Sequence, residues 1–189
     1  MVNQLTKEEK KDSLVYGAIS GVLSIIFSII AIHHSRMADS YSALYMVSTT
    51  LKVIGTVLIP IGLVYLLKRR NGIDWTFSRA LKSIYIFLAA SIVVSSIGIM
   101  VYQKVILDKT VLEESYQNLM NLKIVEMENR GATDDEIDQQ MEIIEQDRTF
   151  AFSELSFRNS VPPIFISLLV NFVFAMVLAL LFRTKVVKK

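Results

Sequence analysis

LKRRNGIDWTFSRALK, residues 67–82, carries five cationic side chains, Lys68, Arg69, Arg70, Arg79 and Lys82, against a single acid, Asp74. Long apolar runs flank it on both sides. Four such runs occur in the chain, at about 14–32, 46–67, 83–103 and 160–182, and this basic stretch joins the second to the third. About 20 apolar residues make a helix long enough to cross the hydrocarbon core of a bilayer. Short loops rich in Lys and Arg stay on the cytoplasmic side. The stretch therefore predicts an all-α integral membrane protein with four transmembrane helices and both termini in the cytoplasm.

Bulk composition decides less than distribution does. The 189 residues are 52% hydrophobic, close to the soluble average, but the charges are nearly absent from the four runs. The absence of cysteine excludes disulfides and thiolate metal or redox sites. The length suits one membrane domain, 1–189, with one excursion out of the bilayer.

Residues 1–13 are polar and balanced in charge, which reads as a cytosolic lead-in or a short interfacial helix. The first run has no charge over Leu14–Ile32. It is longer than the apolar core of a signal peptide and exits through His33-His34, so a retained span is expected. Gly17, Gly21, Ser24 and Ser28 recur at steps of four, three and four, with Ser20 on the same flank. Such small-residue stripes let helix backbones approach closely in lipid. His33–Asp39 reads as the exit loop. In the second run Lys52 falls on one face with Ser48, Gly55 and Gly62 and is expected to snorkel to the outer interface; an ion or substrate contact is the competing reading. Pro60 should kink this span, because it removes the bond to the Thr56 carbonyl. The third run carries Ser91, Ser95, Gly98 and Tyr102 in a further small or polar stripe. Tyrosines and Trp75 gather near the ends of the runs, as aromatic belts require.

Lys104–Arg158 is the one large hydrophilic region, with thirteen acids against six bases, a balance of −7. Leu112, Tyr116, Met120, Ile124 and Met127 step at helical spacing, Gly131 offers a stop, and Thr133 with Glu136 forms a capping box opening a second helix. An extracytoplasmic helical hairpin is expected over 104–158, continuous at its base with the third span. Ser160 is the expected cap of the fourth span, with Pro162 and Pro163 in its first turn. Asn171, near the centre of that span, needs a hydrogen-bond partner and is expected to face another helix.

No segment supplies a catalytic constellation, a phosphate loop or a nucleic-acid patch. His33 and His34 point about 100° apart on a helix and make a poor shared site. The acids Asp134, Asp135, Glu136 and Asp138 lack calcium-loop spacing and suit a helix N-terminus. No enzyme activity, cofactor, metal or nucleic acid is expected. The central cations are expected to meet anionic lipid headgroups.

Asn71-Gly72-Ile73-Asp74-Trp75-Thr76-Phe77-Ser78-Arg79-Ala80-Leu81-Lys82 resembles the basic, Gly-then-Ser/Thr-Phe-x-x-Ala loop of the domain of unknown function 4199 family of small bacterial membrane proteins. Gly131-Ala132-Thr133-Asp134-Asp135-Glu136-Ile137 is similar to its outer loop. Asp74-Trp75 and the double proline depart from the pattern. The resemblance implies a four-helix protein of the bacterial inner (cytoplasmic) membrane, and no activity. Because an ordered acidic hairpin stands on a bundle that lacks a charged pathway, function is expected to be interaction or assembly through that hairpin, with lipid, an envelope protein and further copies of the chain as partners. The alternative is a subunit of an oligomeric transporter or channel, with Lys52 and Asn171 on its polar path.

Overall fold

A computed structural model describes residues 4–72, 75–153 and 157–184, the side chains of 157–160 excepted. Asp74, Glu154 and the basic tail Lys185, Lys188 and Lys189 lie outside the described residues. The fold is all-helical. The elements are α1 (Lys7–Met37), α2 (Tyr41–Val53), α3 (Ile59–Asn71), α4 (Phe77–Val101), α5 (Lys109–Asn129), α6 (Asp134–Phe152) and α7 (Phe157–Phe182), with π-helical segments at Ile54–Leu58 and Tyr102–Ile106. Four stretches are long and apolar enough to span a membrane: Lys7–Met37, Tyr41–Asn71, Phe77–Ile106 and Val161–Phe182. Only 17–22% of each apolar window is buried inside the protein, so most of that surface needs another apolar cover, which a bilayer supplies.

Several boundaries differ from the sequence reading. The polar lead-in is the first part of α1, and His33 and His34 are helical residues near its end, so the exit loop shrinks to Ala38–Ser40. The basic groups His34 and Arg36 in the last turn complement the helix dipole there. At Pro60 the local backbone departs from a regular α-helix. The proline is buried in the first turn of α3, and the backbone before it widens into the π segment, where Ile59 N–H donates to the Ile54 carbonyl. The extra residue per turn accommodates the proline ring and its missing donor. The second π segment ends α4 at Leu107, which is extended (ψ 132°). The hairpin is therefore not continuous with the third span. Asp108 opens α5 as a separate helix, its carboxylate accepting from Thr110 N–H at 3.0 Å. α7 begins at Phe157, so Ser160 is not its cap, and Pro162 and Pro163 fall in its second turn.

Two compact units are present. The first comprises the described residues of Met1–Ile25, Val53–Gly98 and Phe157–Lys189. Its core holds Val64, Leu67, Trp75, Ala80, Ile84, Phe87, Leu88, Ala175, Leu178 and Ala179. Trp75 anchors the central loop. It is fully buried, its backbone N–H donates to Thr184 Oγ1 at 3.3 Å, and its backbone carbonyl accepts from Thr184 N–H at 2.8 Å. Glycine sets the approach of α1 to α4. A Cβ on Gly17 would strike the Phe87 carbonyl oxygen and lie 2.8 Å from Ala90 Cβ; one on Gly21 would lie 2.8 Å from both the Ser91 carbonyl and Val94 Cβ. Ser24 Oγ donates to the Gly55 carbonyl at 3.1 Å, tying α1 to the first π segment.

The second unit comprises the described residues of Ile26–Lys52 and Ile99–Ser156. The α5–α6 pair turns at Gly131 (φ 72°), where Ala132 N–H bonds the Met127 carbonyl and Gly131 N–H the Glu128 carbonyl, a Schellman motif. Thr133 and Glu136 then form the capping box of α6. α5 is fastened to the end of α1. The Asn118 amide donates to the Ser35 carbonyl at 2.8 Å and the Ala38 carbonyl at 3.0 Å, Ser115 Oγ reaches the Ile32 carbonyl at 3.2 Å, and Arg36 pairs with Glu114.

Candidate functional site

The most built polar site lies in the first unit, and it begins in the segment that reads as a bland lead-in. Thr6 and Glu9 form a reciprocal cap at the start of α1: Thr6 N–H donates to Glu9 Oε2 at 2.7 Å, and Glu9 N–H to Thr6 Oγ1 at 3.1 Å. This cap leaves Oε1 of the same carboxylate for a second role. Arg79, in the first turn of α4, donates to it through Nε at 2.8 Å and Nη2 at 2.7 Å. Glu9 is only 4% exposed, so the pair is largely removed from water. One turn along α1, Asp12 Oδ2 takes the Arg70 Nε at 2.8 Å, with the Arg70 side chain mostly exposed. Beneath them the buried hydroxyls of Ser13 and Ser83 meet at 2.8 Å. The two ion pairs line a cleft of about 530 Å³ formed by Thr6, Glu8, Glu9, Lys11, Asp12, Arg70, Asn71 and Arg79. Three cations face three acids, so the cleft is neutral as a whole.

Two of the five basic-loop residues thus reach inward to acids of the N-terminal segment. The signal was present as Thr-x-x-Glu at Thr6–Glu9, the same pattern that marks Thr133–Glu136. What the sequence does not carry is the pairing of residues 70 positions apart.

A family model described as Protein of unknown function (DUF4199) matches residues 15–184. The chain belongs to this family. No curated protein and no solved structure matches it. Within this DUF4199 protein the remaining predicted residues are distributed as follows. Gly17, Gly21 and Ser91 come together where α1 meets α4, and a Cβ on Gly98 would strike the Ile25 side chain. Ser20 is fully buried, and its hydroxyl has no hydrogen-bond partner among the described residues. Ser95 Oγ donates within α4 to the Ile92 carbonyl at 3.1 Å. Gly55 is buried in the π segment, whereas Gly62 is exposed and a Cβ there would meet nothing within 4 Å. Lys52 is exposed at the end of α2. The extra residue of the π segment shifts the helical register by about 100°, so regular spacing counted from Gly55 does not hold for Gly62. Asn171 does not look to another helix for its donor. Its amide donates to the Ser167 carbonyl of α7 at 2.9 Å. Lys68 is half-buried, and Arg69 and Lys82 are exposed.

The second unit holds a charge network of its own. Arg148 of α6 pairs with Glu113 of α5 and with Glu145, at 3.0 Å for the latter. Lys123 bonds Glu126 at 3.0 Å and lies 4.3 Å above the Tyr41 ring. The Lys123 hydrogen bond holds the Glu126 carboxyl below the usual range, and the Thr110 N–H does the same for Asp108. Burial pushes the Tyr116 hydroxyl up, with Asp147 adding to it. Among the described residues no group of three or more His, Asp or Glu side chains could hold a metal ion.

Proposed function

We propose that this DUF4199 protein is a non-enzymatic interaction or assembly protein of the bacterial cytoplasmic membrane, with both termini inside and the α5–α6 pair outside. One observation carries the reading: α5 is fastened by side-chain bonds to α1, while α6 has no buried residue along its length. A helix held rigidly by its neighbour with its outer face uncovered is a ready binding surface. That face runs through Gln139, Glu142, Ile143, Gln146 and Phe150, with Ile143 53% and Phe150 52% exposed in an acidic surround. Apolar anchors ringed by acids suit a basic, amphipathic protein segment.

The orientation rests on charge. Three cations in the N-terminal segment, five in the central loop and four in the tail fall on one side in a four-span threading, and the acidic pair on the other. The bacterial membrane follows from the family resemblance of the loop motifs. Self-association through small residues has less support, because Gly17, Gly21 and Gly98 already meet neighbours within their own unit. Transport has less support too, because the Asn171 Nδ2 donates within α7, to the Ser167 carbonyl.

The test is co-purification in mild detergent of wild type against the full-length double variant Glu142→Lys/Ile143→Glu. A protein captured by wild type and lost with the double variant supports the reading. Identical co-purifying sets contradict it.

A further inference from the structure

The charge-balanced cleft of the first unit holds more charge than its two ion pairs use. Asp12 and Glu9 are bonded to Arg70 and Arg79. Glu8 and Lys11, one turn apart on α1, also line the cleft; both are exposed, and neither makes an ion pair among the described residues. Asn71 lines it from the end of α3, and its Nδ2 is shut off from water without a hydrogen-bond partner among the described residues. The cleft thus offers one acid, one base and one amide donor that the chain does not use itself.

Their order along α1 gives the site a direction. Lys11 lies three residues before the charge-free run from Leu14, and Glu8 three residues further out. At the helical rise each step is about 4.5 Å. The cation therefore stands beside the apolar surface, and the anion about one turn beyond it. Arg70 and Asn71 likewise follow directly on the second run, which ends at Leu67. This is the depth of phospholipid headgroups. From Lys11 an exposed apolar stripe continues along the same face of α1 through Leu14, Val15, Ile19 and Val22.

We propose that this cleft binds the headgroup of a zwitterionic phospholipid carrying a primary ammonium, such as phosphatidylethanolamine. Its phosphate meets Lys11 and Asn71, its ammonium meets Glu8, and an acyl chain lies along Leu14, Val15 and Ile19. In this lipid the phosphate is next to the acyl chains and the ammonium lies outside it, the same order as Lys11 and Glu8. A net-anionic lipid leaves Glu8 unmatched in a cleft of balanced charge. A quaternary ammonium has no N–H to donate to the carboxylate and loses the charge-assisted hydrogen bond. The apolar stripe selects a lipid over a soluble zwitterion, which has nothing to place there. The inference concerns the first unit and stands apart from the α6 reading.

The test is native mass spectrometry of the full chain released from nanodiscs containing equal phosphatidylethanolamine, phosphatidylcholine and phosphatidylglycerol. Wild type should retain phosphatidylethanolamine preferentially, a comparison that needs no altered chain. Glu8→Gln or Lys11→Gln should each weaken that retention about two- to fivefold, the range of an exposed ion pair. The exchange Glu8→Lys/Lys11→Glu keeps the net charge and reverses the direction of the site, and it should abolish the preference. Equal retention of phosphatidylethanolamine and phosphatidylcholine by wild type, a preference for phosphatidylglycerol, or an exchanged variant that retains phosphatidylethanolamine as wild type does would overturn the proposal. Displacement of the lipid by millimolar phosphoethanolamine would overturn the lipid as the source and assign a site for a soluble zwitterion.

Discussion

Replacing Arg79 by alanine isolates the buried ion pair from everything else in the central loop. The Glu9 carboxylate is 4% exposed and keeps one cap donor, the Thr6 N–H, after Arg79 is gone. Breaking a buried pair by removing one partner leaves an uncompensated charge and costs about 3–5 kcal/mol. Removing both partners avoids that penalty. Glu9→Met/Arg79→Met should lose chiefly the capping contribution of Glu9, about 1 kcal/mol. Arg70→Ala provides the control. It removes an equal charge from the same loop, but from a side chain that is 62% exposed, and pairs of that kind contribute little. The assay is reversible unfolding of the purified chain in mixed micelles at two salt concentrations. Arg79→Ala should be the most destabilised and nearly indifferent to salt. Equal effects of Arg79→Ala and Arg70→Ala, or a double variant as unstable as Arg79→Ala, would refute the reasoning.

Three further outcomes follow from the same geometry. Gly17→Ala forces α1 off the Phe87 backbone and should cost about 1–3 kcal/mol in the same unfolding assay, whereas Gly62→Ala, with open space around it, should be neutral or stabilise by up to about 1 kcal/mol. Asp108 and Glu126 have folded-state values below their unfolded ones, so their contribution to the second unit is present above about pH 4.5 and lost as pH falls through the depressed values; the protection of α5 amides, as observed exchange relative to the intrinsic rate at each pH, should fall on acidification, and unchanged protection at pH 3 would contradict this. The chain has no cysteine, so single cysteines report sidedness cleanly: in spheroplasts an impermeant maleimide should label Gln139→Cys directly and Arg69→Cys only after permeabilisation, and the reverse pattern would overturn the orientation.

Much of the fold was legible because membrane helices announce themselves in single-residue chemistry. The charge-free runs mark the four long helices, Gly131 and Thr133–Glu136 mark the turn between α5 and α6, and the stripe of Gly17 and Gly21 marks the face that meets α4. Three things were hidden, each for a physical reason. The Glu9–Arg79 pair joins residues far apart in the chain, and a segment of balanced charge looks solvated until its partner is known. The π segment at Ile54–Leu58 adds one residue to a turn, so helical spacing counted across it places Gly62 on the wrong face. Asn171 had two ways to satisfy its amide, across helices or back to the carbonyl four residues earlier, and spacing alone does not choose between them.

The central claim, that the uncovered face of α6 meets a protein partner, is tested most directly by photo-crosslinking in living cells. A photoreactive side chain is placed in turn at Gln139, Ile143 and Gln146 on that face, and at Met141 and Ile144 on the half-buried side. The account predicts one envelope protein joined to the three outer positions and not to the two inner ones, and lost on Glu142→Lys. No adduct at any outer position, or adducts formed alike from both sides, would contradict it.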